Sequence, residues 1–358
     1  MDVAEVLARR MQAQRLVGVP AGSVGEVIRG LTCVQSQEHA HALWSVSIRL
    51  GDHVRSTAGE LRTAFDRGEF LRTHVVRPTW HFVAPGDLGW ILRLTAPRVH
   101  QRNRSIYRRH GLDAQLLART TSIMVEEIGA HGPRTRAQLG AALARAGEPV
   151  AGDRLAHVVM HAELEQVLVS GPMAGAQHTY VHVADRVRRG ERPDDPEAEL
   201  ARRFFGGHGP ASVQDFVRWS SLTTTVARAA VGRLDPRLEQ VTVAGHELRY
   251  DPRQSYDAAL DDDRRAWLVP LFDELTLSCP SISFPRADRH PHPPGNDLRL
   301  GTVLLGRRNV GLWKRTVSGR SVQVETTLAP GLGRAARLAV DTAVERLARH
   351  LELPWTSQ

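Results

Sequence analysis

Two glutamines one residue apart, Gln35 and Gln37, stand out as side chains whose type and spacing suit a specific chemistry. A carboxamide carries one acceptor oxygen and two N–H donors, so two convergent amides can hold one water by a lone pair and by its hydrogens. They cannot ionise it, because an amide is not a base near neutral pH. A bond attacked by such a water must break largely unaided. On a regular helix, residues i and i+2 face apart; on an extended or turning segment they can point the same way. The alternative is that both amides only satisfy backbone groups at a helix end.

Other candidates lie further along. Arg102, Arg104, Arg108 and Arg109 follow Arg98 at spacings that partly share a helix face, and such a row can clamp phosphates or simply form a solvated surface. Trp80-His81 falls in a hairpin pattern, where a histidine is either structural or a probe of a groove. Glu38, His39 and His41 lack a third ligand and a HExxH pattern, so no metal is expected. His131 and His208 open repeated segments and read as structural. There is no P-loop, no GxGxxG leading a helix and no GxSxG elbow, which leaves no expected cofactor and no nucleotide hydrolysis.

The 358 residues are 42% hydrophobic and 24% charged, with a formal net charge of +8. That balance favours a polyanionic partner. Lys314 is the sole lysine, however, and an Arg-, Ala- and Gly-rich composition also follows from a GC-rich genome. Cys33 and Cys279 are far apart and form no CxxC, which points to a reducing compartment. The first sixteen residues lack the apolar core of a signal peptide, and no apolar run approaches the ~18 residues of a membrane span. The expectation is a cytoplasmic protein with no membrane contact.

The elements that must position the glutamines recur. Ser23–Glu26 forms a capping pattern before a helix (Val24, Val27, Ile28, Leu31) that runs into the Gln35 stretch. A helix with Leu61 and Phe65 follows, then a strand pair across Arg77-Pro78, then a helix that Asp87 caps and that ends near Pro97. Thr135–Gln138 opens a second helix–helix–hairpin series with turns at Gly171 and Gly175, and Ser212–Asp215 opens a third after turn glycines Gly206-Gly207. From Ala266 the pattern changes: strands are expected at 266–271, 275–277, 298–305, 310–315 and 322–326, with a long loop over 280–296 and a closing amphipathic helix from about Gly333 to Leu351. The fold class is α+β: three tandem winged-helix domains (1–118, 119–190, 197–255) and a β-rich C-terminal domain (264–358).

Several runs together resemble one family. Gln35-Ser36-Gln37, Arg77-Pro78-Thr79-Trp80-His81-Phe82-Val83 with Asp87-Leu88, Phe204-Phe205-Gly206-Gly207-His208-Gly209-Pro210-Ala211, and Leu268-Val269-Pro270-Leu271-Phe272-Asp273-Glu274 are similar, in content and order, to the AlkZ/YcaQ winged-helix DNA glycosylases. Gln37 places the chain in the AlkZ-like branch, where the motif is Gln, an apolar residue, Gln; Ser36 departs from the apolar middle position. The resemblance implies a C-shaped monomeric body acting on double-stranded DNA that carries alkylated purines, bulky adducts or interstrand crosslinks included. It implies Gln35 and Gln37 as the catalytic pair, and Arg77, His81, Arg102, Arg104 and Arg108 as DNA contacts. An N7-alkylated purine is cationic and leaves readily, which suits water positioned by amides that cannot deprotonate it. Two rivals remain: a winged-helix DNA-binding or regulatory protein without chemistry, and a body that sequesters a free intercalating antibiotic.

Overall fold

A computed structural model describes the chain except residues 52, 53, 55, 188, 189, 191, 235, 236, 255, 261, 292–299 and 358. Helix α1 (Val3–Ala13) is capped by Asp2 and precedes α2 (Val24–Leu31), where Ser23 accepts from the Glu26 N–H. The Glu26 carboxylate turns back to the Gly22 N–H, so the expected capping box is only half formed. Thr32, at φ 66°, swings the chain out of α2 into β1 (Cys33–Gln35). Helices α3 (His39–Ser47) and α4 (Ala58–Asp66) follow, then β2 (Leu71–His74) and β3 (Trp80–Val83), in a sheet ordered β1-β3-β2.

Helix α5 runs unbroken from Pro85 to Arg109, past the expected stop at Pro97, and Asp87 lies in its first turn rather than at its cap. Proline removes one helical hydrogen bond. Here Pro97 faces outward, while Leu92, Ala96, Val99 and Asn103 continue one buried stripe across it. Packing of that stripe outweighs the local defect. Next come α6 (Ala114–His131), β4 (Arg134–Thr135), α7 (Arg136–Arg145), α8 (Gly152–Leu164), β5 (Leu168–Ser170) and β6 (Thr179–His182), in a sheet ordered β4-β6-β5. The order of α2, β1, α3, α4, β2, β3 is thus repeated, strand pairing included. The boundary expected at 118/119 falls inside α6, whose cap is Asp113.

After α9 (Val183–Arg186), helix α10 (Pro196–His208) leads a third series: an Ala211–Arg249 bridge, α11 (Val213–Ser220), α12 (Thr224–Gly232), β7 (Glu239–Val243) and β8 (His246–Tyr250). The capping boxes at Thr135/Gln138 and Ser212/Asp215 form as read. Gly206 and Gly207 are not turn residues; they lie within α10. A Cβ on Gly207 would sit 2.1 Å from the Gly30 carbonyl oxygen, so only glycine lets α10 cross α2 this closely. His208 hydrogen-bonds the Leu31 carbonyl at 3.0 Å, fixing the end of α2 from which the candidate strand departs.

The C-terminal sheet is ordered β13-β12-β11-β10-β9, with β9 (Ala266–Val269), β10 (Gly301–Leu305), β11 (Arg308–Ser318), β12 (Ser321–Leu328) and β13 (Trp355–Ser357). The strand expected at 275–277 is instead the short helix α13 (Glu274–Leu277), capped by Asp273. Residues 292–296 of the expected loop and 298–299 of the expected strand lie outside the described residues. The closing helix α14 (Arg334–Leu351) buries Val340, Ala343, Val344 and Leu347 with Trp267 of β9. Among the described residues no helix is long and apolar enough to cross a membrane.

One ion pair keys this sheet to the N-terminal unit. Arg49, just after α3, donates to both Asp273 oxygens at 2.7 and 2.9 Å, and both side chains are 0% exposed. Burial alone would raise the Asp273 carboxyl, yet Arg49, the Ser45 hydroxyl and the Leu275 N–H hold it below its ordinary value. Removing one partner strands the other charge in the interior. We therefore expect Asp273→Ala to lose about 3–5 kcal/mol in urea unfolding. A loss below about 1 kcal/mol would show that this pair does not anchor the sheet.

Candidate active site

Strand β1 pairs antiparallel with β3 in the register Cys33–Val83, Val34–Phe82 and Gln35–His81, and the Ser36 N–H extends the ladder to the Trp80 carbonyl at 2.7 Å. Alternation places Cys33 and Gln35 on one face and Val34 on the other. Gln37 follows in the bend before α3. The two glutamines therefore sit on an extended-to-turning segment, not on a helix. Ser36 between them is fully buried, and its carbonyl accepts the Arg72 Nε–H at 3.0 Å.

Gln35 is half-buried and held from two sides. Its N–H donates to Glu274 Oε1 at 2.9 Å, and its side-chain oxygen accepts from Arg77 Nη2 at 3.1 Å. Arg77 Nη2 also lies 3.0 Å from His81 Nε2, and His81 Nδ1 is 2.8 Å from the Thr79 carbonyl. Glu274 is itself buried, with its second oxygen 3.1 Å from Trp219 Nε1 and 2.5 Å from the Ser278 hydroxyl. The structure thus gathers Gln35, Arg77 and His81, three of the residues read from the sequence. It engages Arg77 and His81 with this strand and with each other, though, rather than presenting them to solvent. His81 is 0% exposed, so as folded it offers nothing to a phosphate. Arg77 spends its Nη2 on two interior partners.

Gln37 is exposed and opens onto a cleft of about 480 Å³, which Gln35 does not line. His39, Arg72 and Trp80 form one wall; Thr135, Arg136, Ala137, Gln177, His178 and Tyr180 form the other. The two repeated units thus meet across this cleft. Their seam is fixed by His74 Nδ1 against Glu163 Oε2 at 2.5 Å, by the Ser170 hydroxyl accepting the Arg72 N–H at 2.8 Å, and by Asp66 accepting the Met173 N–H at 2.7 Å. The Arg72 guanidinium lies 4.2 Å over the Trp80 ring; burial lowers its pKa to about 10, so it stays charged at neutral pH. Sequence reading missed Arg72, Arg136 and His178. The available signal for Arg72 was an arginine in a hairpin strand flanked by Phe70-Leu71 and Val75-Val76.

The basic row lies elsewhere, on the C-terminal half of α5. Arg102 donates to the Ser221 hydroxyl at 3.2 Å, while exposed Arg104 and Arg108 border a separate cleft of about 440 Å³ with Tyr107 and Leu112. None of the three lines the Gln37 cleft. His39 and His41 diverge: His39 packs edge-on to Phe65, Phe82 and His178, whereas His41 stacks on Trp313 and takes the Leu271 N–H. The described residues bring His100, His161 and Glu165 within 4.8 Å of one another. His100 there is already engaged by the Tyr107 hydroxyl at 2.9 Å and by Glu165 at 3.0 Å.

The thiol and imidazole groups around β1 are kept neutral. Burial, then Glu274, pushes the Cys33 thiol upward, which removes it as a nucleophile. Burial depresses His39 to about 3 and His178 to about 4, and holds His81 well below its usual value. His41 and His350 also fall to about 4, chiefly through burial. A lowered histidine stabilises the fold fully above the unfolded pKa, near 6.5, because below it the unfolded chain binds more protons. Each such histidine then withdraws up to about 1.4 kcal/mol per pH unit on acidification. The melting temperature should fall steadily from pH 6.5 to about 4. A flat profile over that window would contradict the neutral burial of these rings.

Residues 28–350 match the family described as DNA glycosylase AlkZ-like. An interstrand DNA cross-link repair glycosylase from Streptomyces sahachiroi is 27% identical over 258 residues, 68% of this chain and 68% of that one. The solved structure of the Streptomyces sahachiroi DNA glycosylase AlkZ superposes over 100% of both chains with a TM-score of 0.74 at 20% identity, a likeness of fold. A mixed α+β architecture of small sheets, matched over most of its length by this family, thus falls in a class of DNA glycosylases. The chain belongs to the AlkZ-like DNA glycosylase family.

Proposed function

We propose that the chain is a monofunctional DNA glycosylase that hydrolyses the N-glycosidic bond of cationic N7-alkylated purines in double-stranded DNA. Bulky adducts and interstrand crosslinks fall within that substrate class. One water, held between Gln35 and Gln37, is the nucleophile. The observation that carries this reading is the amide pair itself: both side chains stem from one short extended segment, and neither Gln35 Nε2 nor the Gln37 carboxamide hydrogen-bonds another described residue. In an extended-to-turning segment, residues i and i+2 can point the same way, which lets two long side chains address one water.

The bond to C1′ breaks first, and its electron pair passes to the purine, cancelling the positive charge that alkylation placed there. The sugar is left as an oxocarbenium ion. A lone pair of the held water forms the new C1′–O bond, and the surplus proton leaves to solvent. Neither amide takes it. Uncharged damaged bases need an acid to leave, and the amide pair supplies none, so they should be poor substrates. Lys314 is paired with Glu325 at 3.0 Å across β11 and β12, away from this segment, which speaks against a lysine Schiff base.

In this reading the three repeated series are winged-helix domains, with the first boundary moved to Asp113. Together with the β-rich domain they form a C-shaped body that works as a monomer on cytoplasmic DNA. Arg72 and Arg136 offer charge at the cleft; Arg102, Arg104 and Arg108 take phosphates further along the duplex. A cleft near 480 Å³ suits a bulky adduct. The name carried by the curated relative favours crosslinks as the physiological lesion.

Incubation with a duplex containing N7-methylguanine tests this. The wild type should release free base, and Gln37→Ala should reduce the rate about 100-fold or more with DNA affinity within threefold. Undetectable release by both proteins on several cationic lesions, with DNA binding intact, would make the chain a non-catalytic DNA-binding protein.

A further inference from the structure

We infer that Arg77 is a positioning residue that gives the two glutamines opposite roles, Gln35 donating an N–H to the water oxygen and Gln37 accepting a water hydrogen. This rests on the proposed hydrolysis and specifies how its water is held. The argument is a count of hydrogens. Arg77 Nη2 carries two, and each has one acceptor: Gln35 Oε1 at 3.1 Å and His81 Nε2 at 3.0 Å. His81 can accept there only if its proton sits on Nδ1, and that atom faces the Thr79 carbonyl at 2.8 Å. Burial keeps the ring neutral.

The guanidinium is fixed in turn by Glu274. Glu274 Oε1 lies 3.9 Å from Nη2 and also receives the Gln35 N–H at 2.9 Å, so one carboxylate holds both the arginine and the glutamine backbone. The chain from the Thr79 carbonyl through His81 and Arg77 ends on the Gln35 side-chain oxygen. Turning that amide over would set N–H against N–H. Gln35 therefore directs its NH2 outward, where it meets no other described residue.

A water attacking carbon needs one lone pair free. Gln35 takes the second lone pair, and one hydrogen goes to the Gln37 oxygen. The other hydrogen faces solvent, the route by which the proton departs once the C1′–O bond forms. Gln37 has no such constraint on its own amide, so it adopts the acceptor orientation that the water leaves open.

The test is single-turnover release of N7-methylguanine by the full chain. Arg77→Met should lower the rate about tenfold with DNA affinity unchanged, and Arg77→Lys, which keeps a charged donor, should restore most of it. In a Gln35→Ala background, Arg77→Met should change the rate less than twofold, because its effect passes through Gln35. Gln37→Glu, an acceptor only, should stay within fivefold of wild type where Gln37→Ala is crippled. Equal losses from Arg77→Met in both backgrounds would overturn the assignment, as would a Gln37→Glu rate as low as that of Gln37→Ala. If Arg77→Met fails to fold, the Gln37 pair decides alone, since it leaves the arginine in place. Failure of the hydrolytic reading looks different: Gln37→Ala would then release base as fast as wild type, and the role assignment falls with it.

Discussion

Two adjacent buried acids, Asp273 and Glu274, hold the molecule in register. They stand at the cap and first position of α13, where the helix N-terminus favours negative charge. Asp273 grips Arg49 behind α3; Glu274 reaches Gln35, Trp219 of α11 and, at longer range, Arg77. Burying such charges costs several kcal/mol each unless partners meet them at good geometry. The C-terminal sheet can therefore dock on the first and third repeated units in one way only. That docking places a carboxylate directly under the strand that carries the glutamines.

Around Glu274 and the Arg77 guanidinium beside it, the other titratable groups near β1 are held neutral by burial. A thiol and imidazoles line β1 and its neighbours, and desolvation keeps each in its neutral form; the amides beside them carry no charge at any ordinary pH. Such a setting holds no strong base. It fits a reaction whose leaving group carries its own activation, and it explains how a pair of amides can suffice. At the Gln37 cleft the charge comes from Arg72, which stacks on Trp80, and from Arg136 at the head of α7.

The repeat was legible because its signals are local. A Ser or Thr followed three residues later by an acid or amide, a helical stripe, and a hairpin broken by glycine each act over one turn or one strand pair. Helix α5 was misread for the opposite reason: Pro97 is a local breaker, and the stripe that overrides it makes contacts that are distant in sequence. The segment Leu275–Leu277 alternates like a strand, yet the capping carboxylate of Asp273 and its partner Arg49 draw it into a helix. Gly206 and Gly207 looked like turn residues, but both lie within α10, where Gly207 permits the close approach to the Gly30 carbonyl.

By itself the sequence determined the chemical vocabulary: two amides one residue apart, one lysine, no thiolate cluster, and three capped helix–helix–hairpin series in order. These depend on residue type and short spacing, so they survive without coordinates. Tertiary structure alone decided which partners those groups meet. Arg77 and His81 turn inward because β1 and β3 pair in one register and Glu274 arrives from 239 residues away. Arg72 and His178 face the same cleft because the second unit closes on the first. Hydrogen bonds and buried charges are set by distances of a few ångströms, and across such sequence separations only the folded chain fixes those distances.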